Sequence, residues 1–241
     1  MRERVVNFFL KDGYVPRLNP VYFEDVATIP ESVWQPKVYP FAAALARKLR
    51  SRLIVDIGCG RCDKMLKLMD EFDTIGVDYG DNIKYCMKAF PDRKWVNFDL
   101  EANKKLDLLR TSASGATVVC SDVIEHLVNP GSLLNNIRLL MTSAAVAVIS
   151  TPERDETWGT DHLGPPPNSC HVREWNMREL VLLLKGSGLQ VVGGWLTQSE
   201  THSPRRATSV VICANLPILA PALSTPEKFK RMVDGIAEKE L

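Results

Sequence analysis

Residues 56–64 read Asp-Ile-Gly-Cys-Gly-Arg-Cys-Asp-Lys and carry two spacings that imply different chemistry. Cys59 and Cys62 form a C-x-x-C pair, the spacing of a redox dithiol or of half a zinc site. Gly58 and Gly60 form a G-x-G turn, which lets a nucleotide-containing ligand approach the backbone. Zinc would require two more ligands at matching spacing, whereas Cys86, Cys120, Cys170 and Cys213 stand isolated in the sequence. Asp56 and Gly58 before the pair suit a cofactor turn better than the aromatic entry to a thioredoxin-like dithiol.

The acids around this turn narrow the ligand. Asp78 lies twenty residues after Gly58, at the end of the next apolar run, where a carboxylate can accept both hydroxyl hydrogens of a ribose. A dinucleotide site places a third glycine where Asp63 stands, so that a pyrophosphate can rest on the helix N-terminus. A carboxylate at that position, with Asp56 close by, would repel phosphates, which argues against a nicotinamide-dependent oxidoreductase. The two acids favour a cofactor that carries a positive group and no phosphate.

The elements that must position these residues follow from the apolar pattern. Runs at 53–57, 74–77, 95–98, 117–123, 145–150, 190–196 and 209–214 suit buried strands. Helical patterns occupy 37–49, 64–72, 82–90, 130–141 and 177–185, and a shorter helix fits 102–110. This alternation predicts an α/β protein with a Rossmann-like, doubly wound seven-stranded sheet and helices on both faces. The sheet is mostly parallel, but residues 197–206 leave room only for a hairpin loop, so the last strand should run antiparallel. A single domain over 1–241 is expected: an N-terminal cap and helical segment over 1–50, a core over 51–215, and a tail helix over 216–241.

Thirty basic residues balance 29 acidic ones, so no global positive field exists to hold nucleic acid. The apolar run near the N-terminus is broken by Asn7, too short for a signal-peptide core, and no later stretch could span a bilayer. A cytoplasmic location follows by default, and six cysteines there are too sparse for a disulfide scaffold and should stay reduced. Oligomeric state is not legible.

Five stretches together resemble the class I S-adenosylmethionine-dependent methyltransferases over about residues 35 to 215. Asp56-Ile-Gly58-Cys59-Gly60 is similar to the first motif of that family, and the resemblance implies that it wraps the methionine part of the cofactor. Asp78 matches the acid that binds ribose, and Asp99 the acid near the adenine amino group. The stretch from Cys120 through Ser121, Asp122, Glu125 and His126 matches the motif ending the fourth strand, and Ile149-Ser-Thr-Pro152 the end of the fifth. The family often has a small residue where Cys62 stands. Tyr79, Leu100, Gln35 and Tyr39 complete the expected cofactor shell, the last two from a segment that closes over the cofactor in relatives. S-adenosylmethionine is thus the implied cofactor.

The sulfonium cofactor is already an activated methyl donor, so an enzyme acting on an alcohol needs alignment and a base. His126, just after the fourth strand, can titrate near neutral pH, or it can simply begin the next turn. The stretch from Thr160 to Trp175 is dense in prolines and polar groups, and Asp161, His162 and His171 are alternative bases or orienting groups on a substrate wall. A structural loop in which His171 and Arg173 cap the next helix would look the same. Arg205 and Arg206 could bind an anionic substrate group. Asp122, Glu125, His126 and a later histidine would also suit a divalent metal, and small-RNA 3′-end ribose methyltransferases and ubiquinone-pathway O-methyltransferases use a similar Glu-x-x-Glu-His signature. Asp122 departs from that signature, so no metal ligand is assigned.

The loop ending in His171-x-Arg-Glu-Trp175 resembles bacterial methyltransferases of glycan and small-molecule modification. The resemblance implies O-methylation of a sugar hydroxyl. Ribose 2′-O-methylation of an RNA 3′ end is the nearest alternative, and the neutral charge speaks against nucleic acid. A small natural-product acid, amine or phosphonate acceptor, or a catalytically silent scaffold, also fits the motifs.

Overall fold

In the computed structural model, residues 7–21, 33–110 and 112–241 are described; residues 1–6 and 22–32 of the expected N-terminal cap lie outside them. Seven strands form one sheet: β1 (Leu53–Ile57), β2 (Asp73–Asp78), β3 (Lys94–Asn97), β4 (Thr117–Ser121), β5 (Val146–Pro152), β6 (Val191–Thr197) and β7 (Thr208–Ala214). Their order is β3-β2-β1-β4-β5-β7-β6, with β7 inserted antiparallel between β5 and β6 and all pairs from β3 to β5 parallel. The seven expected strands are all present, and the antiparallel last strand is as the short loop demanded.

Helices α1 (Val38–Leu49), α2 (Gly80–Ala89), α3 (Asp107–Arg110), α4 (Pro130–Leu140), α5 (Arg154–Trp158), α6 (Met177–Gly186) and α7 (Pro226–Glu240) surround it. Two apolar clusters cover the two sheet faces. One gathers Val55, Ile57 and Val118 with Ile137 of α4 and Leu180 of α6; the other gathers Ile54, Val119 and Val148 with Phe41 of α1 and Phe229 of α7. This is the double covering that a parallel sheet of near-continuous apolar strands requires. Among the described residues no helix is long and apolar enough to cross a membrane.

Two local expectations need correction. The helix expected over 64–72 is only a short 3-10 turn, Leu66–Leu68, flanked by further turns. Met65, Leu68, Met69 and Phe72 are buried at helical spacing, but Cys62 takes a left-handed conformation (φ 64°) and the backbone mixes i→i+3 with i→i+4 bonds. The apolar face is right and the ladder is not. The fourth strand stops at Ser121 because Asp122 leaves it at φ 63°.

Residues 7–21, part of the expected N-terminal cap, are stapled along the loop between α5 and α6. Backbone N–H groups of Val15, Arg17 and Val21 donate to the carbonyls of Leu163, Val172 and Ser169. Trp175 Nε1 donates to the Phe8 carbonyl at 3.0 Å, and the Arg173 guanidinium sits 4.7 Å from the Phe8 ring centroid.

Candidate active site

The parallel strand order reverses direction between β1 and β4, which opens a crevice at their carboxyl ends. The turn after β1 lines it. Gly58 (φ 77°) could not carry a side chain, since a Cβ there would lie 2.4 Å from Val123 Cγ2 in the turn after β4. The two turns therefore touch. Gly60 donates its N–H to Asp78 Oδ2 at 2.8 Å, and Tyr79 donates its own to Asp78 Oδ1 at 2.7 Å. Burial pushes the Asp78 carboxyl up to about 6, against the lowering effect of those two N–H groups.

The cysteines of this turn do not offer a dithiol. Cys59 and Cys62 are buried and unbridged. Cys59 is hydrogen-bonded with Cys86, but burial and the Asp56 and Asp78 carboxylates push its thiol up to about 11. A thiol that stays protonated neither attacks nor ligates readily.

Deeper in the crevice lie Asp56 and Asp122. Tyr39 donates its hydroxyl to Asp56 Oδ2 at 2.8 Å. Gln35 is buried, with its amide nitrogen 2.7 Å from Asp122 Oδ1, while its carbonyl accepts from the hydroxyls of Ser121 (3.1 Å) and Ser150 (2.6 Å). Gln35 thus fastens the segment before α1 to the ends of β4 and β5. Lys64 Nζ is 3.7 Å from Asp122 Oδ2. Burial raises the Asp122 carboxyl, but Lys64, Glu125 and the nearby histidines outweigh it and hold it below the usual range. Glu125, wholly buried, is pushed well above the usual range by burial and by the Asp122 charge.

On the cofactor's expected adenine side, Asp99 is exposed and accepts the Glu101 N–H, while Leu100 is buried. Tyr79 is 46% exposed. A cluster of carboxylates with the Lys64 ammonium among them, at the switch point and with both Asp78 oxygens able to take a diol, fits S-adenosylmethionine. Phosphates would meet repulsion there.

The structure gathers two of the three predicted histidines. The rings of His126 and His171 meet edge to face, with centroids 4.7 Å apart. His126 Nδ1 lies 3.0 Å from the Cys170 carbonyl, which can only accept, so Nδ1 carries the hydrogen. Burial, and then the neighbouring His171, push His126 down to about 4. His171 Nδ1 lies 2.5 Å from Glu174 Oε1, and its Nε2 is 3.0 Å from the Asn168 amide nitrogen. Glu174 is itself held by Trp158 Nε1 at 2.6 Å, and its backbone N–H donates to the Tyr14 hydroxyl at 3.0 Å. His162 is not in this pair; its ring lies 6.1 Å from that of Trp158, and Asp161 is exposed.

Sequence reasoning missed Glu174, Trp158 and Tyr14. The His171-x-x-Glu174 spacing was a usable signal, while Tyr14 is remote in sequence and gave none. Arg173 does not cap α6; it donates to the carbonyls of Leu127 and Val128. A reciprocal box between Asn176 and Glu179 caps that helix. Arg205 and Arg206, both exposed, each anchor one guanidinium nitrogen on backbone carbonyls, at Glu156 and Thr157 and at Leu196 respectively. Glu125, His126 and His171 each place one ligand atom within 4.8 Å of the others, a set that could hold a metal ion.

Residues 33–193 match the model of a family described as "Methyltransferase domain". The chain is a member of this methyltransferase family. A relative from Mycolicibacterium smegmatis, named "Probable S-adenosylmethionine-dependent methyltransferase", is 27% identical over 188 residues, covering 75% of this chain and 69% of its own. Among solved structures, the methyltransferase domain of the bacterial protein CtHen1 superposes with a TM-score of 0.54 at 16% identity, covering 75% of this chain and 99% of that one. Magnesium protoporphyrin IX methyltransferase from Synechocystis with bound SAH superposes at 0.51 and 16%, covering 75% and 82%. The enzyme is an S-adenosylmethionine-dependent methyltransferase of class I, as its motifs implied.

Proposed function

We propose that this methyltransferase acts on a hydroxyl group of a saccharide, with His171 as the general base. The observation that carries the reading is the 2.5 Å contact between His171 Nδ1 and Glu174. With Nδ1–H committed to a carboxylate, the Nε2 lone pair of the buried imidazole is held by the amide of Asn168, an exposed loop residue that an acceptor hydroxyl can displace.

Bound S-adenosylmethionine supplies a methyl group activated by its sulfonium. The chain's part is to orient and deprotonate. Asp78 and the Gly58–Gly60 turn hold the nucleoside end, and Asp56 and Asp122 hold the cationic end. As the alcohol oxygen takes the methyl, its proton passes to His171 Nε2 and the new imidazolium is balanced by Glu174, a role for which positioned imidazole is suited. His126, kept neutral, braces the Cys170 carbonyl and the His171 ring. Trp158, 42% exposed with its indole N–H fixed on Glu174, offers a flat apolar face for a sugar ring, and exposed Asp161, Asn168 and Ser169 offer polar partners.

The metal-assisted ribose reading keeps one observation in its favour. Both histidines have Nδ1 engaged by an acceptor. Ligating histidines show that same outer hydrogen bonding. Glu125, His126 and His171 would then hold a divalent cation against the acceptor diol.

Radiolabelled methyl transfer to panels of saccharides, RNA 3′ ends and small acids, with and without EDTA, separates the readings. A methyl ether on a saccharide, insensitive to EDTA and reduced about 10²–10⁴-fold in His171→Ala, is expected. Transfer confined to RNA and abolished by EDTA, or a methyl ester product, would refute it.

A further inference from the structure

Lys64 is a residue of the opening motif to which the cofactor shell expected from sequence gives no task. Its side chain is only 12% exposed, an uncommon degree of burial for a lysine. The nearest carboxylate, Asp122, is 3.7 Å from Nζ, which is an ion pair too long for a hydrogen bond. Among the described residues no acceptor lies closer to that ammonium; its other neighbour is the Tyr39 ring, with the centroid 6.0 Å away. A buried ammonium with three donors and no short acceptor is costly unless a partner completes it.

The surroundings define that partner. Lys64 sits at the end of the turn that follows β1, beside Asp122, and Tyr39 connects it to Asp56 through the 2.8 Å hydroxyl bond. Lys64 and Asp122 therefore stand at the same end of the crevice, with the wholly buried Asp56 behind the Tyr39 hydroxyl. A ligand complementary to that set has two positive groups and one negative group within a few ångströms. The amino-acid end of the cofactor has this composition: a sulfonium, an α-ammonium and an α-carboxylate.

We propose that Lys64 binds the α-carboxylate of the cofactor's methionine end and that its ion pair with Asp122 is exchanged on binding. The cofactor ammonium takes Asp122, and the carboxylate takes Lys64 Nζ at hydrogen-bond distance. Each buried charge then has a short partner of opposite sign, which neither has in the ion pair alone. The proposal rests on placing S-adenosylmethionine in this crevice. It makes Lys64 a residue that selects an amino-acid end over a plain alkylamine.

The test is calorimetric titration of the wild type, Lys64→Met and Lys64→Arg with two ligands, S-adenosylhomocysteine and its decarboxylated analogue, which keeps the thioether and amine and lacks the carboxylate. The wild type is expected to bind the first ligand at least tenfold more tightly than the second. Lys64→Met should lose at least tenfold for S-adenosylhomocysteine and less than threefold for the decarboxylated ligand, with Lys64→Arg recovering most of the loss. Equal losses for both ligands, or no loss for either, would overturn the assignment. Tight wild-type binding to S-adenosylhomocysteine with an unchanged Lys64→Met variant sinks the role of Lys64 alone. No wild-type binding to either ligand sinks the placement of the cofactor, and the assignment with it.

Discussion

Replacing Asp78 by Asn probes the ribose end of the crevice with a magnitude that the structure sets. One carboxylate oxygen accepts the Gly60 N–H and the other the Tyr79 N–H, and each keeps a second lone pair for a ribose hydroxyl. Asn offers one acceptor, so its NH2 must oppose one of those two N–H groups and one ribose hydroxyl loses its partner. A hydrogen bond to a charged group is worth roughly 1.5–3 kcal/mol, so affinity for S-adenosylhomocysteine should fall about 10–150-fold. The raised carboxyl gives a second signature. With Asp78 at about 6, the ionised form is about nine tenths of the protein at pH 7 and about one tenth at pH 5. If only the ionised form binds ribose well, wild-type affinity falls about tenfold as pH drops from 7 to 5. The sign is fixed because ligand binding favours the carboxylate and acid removes it. Calorimetric titration at pH 5, 6 and 7 checks both numbers, and Asp78→Asn should be flat in pH. A flat wild-type profile, or a variant that keeps the wild-type slope, would refute the assignment.

Three further outcomes follow from the packing. Gly58→Ala puts a Cβ 2.4 Å from Val123 Cγ2 at φ 77°; it should destabilise by about 2 kcal/mol or more, seen as a lower Tm, and weaken cofactor binding as well. Arg154→Met strips the wholly buried guanidinium from Glu179 (2.6 and 3.0 Å) and Asp155 (2.9 Å), leaving a mostly buried carboxylate unpaired; urea unfolding should show a loss of about 3–5 kcal/mol. Cys59→Ala should leave cofactor affinity within about threefold of the wild type, less than one lost hydrogen bond, and a variant that lost methyl transfer while still binding cofactor would revive the dithiol reading.

The strands were legible because buried strands read as short apolar runs: 53–57 falls where expected, and the runs at 74–77 and 209–214 miss their strands by no more than one residue at an end. The sharp turns were less so. Apolar spacing at Met65, Leu68, Met69 and Phe72 signals a buried right-handed coil, but periodicity cannot tell an α-helix from successive tight turns. Only five residues make up α5, too few for a periodic signal. The positions of Asp78 and Asp122 were legible because motif order and strand ends locate them. What orients the candidate base was not, because it comes from contacts remote in sequence: Tyr14 on Glu174, Trp158 on Glu174, and the backbone of residues 15–21 along the loop at 163–172. His162 illustrates the limit, since its residue type matched His171 and its neighbours did not.

A crystal structure of the complex with S-adenosylhomocysteine tests the central claim most directly. The account predicts the ribose diol on the Asp78 carboxylate, the amino group at Asp122, the carboxylate at Lys64, and the sulfur facing the side of the crevice where His171 stands. Density for the ligand elsewhere, or with the ribose away from Asp78, would contradict it.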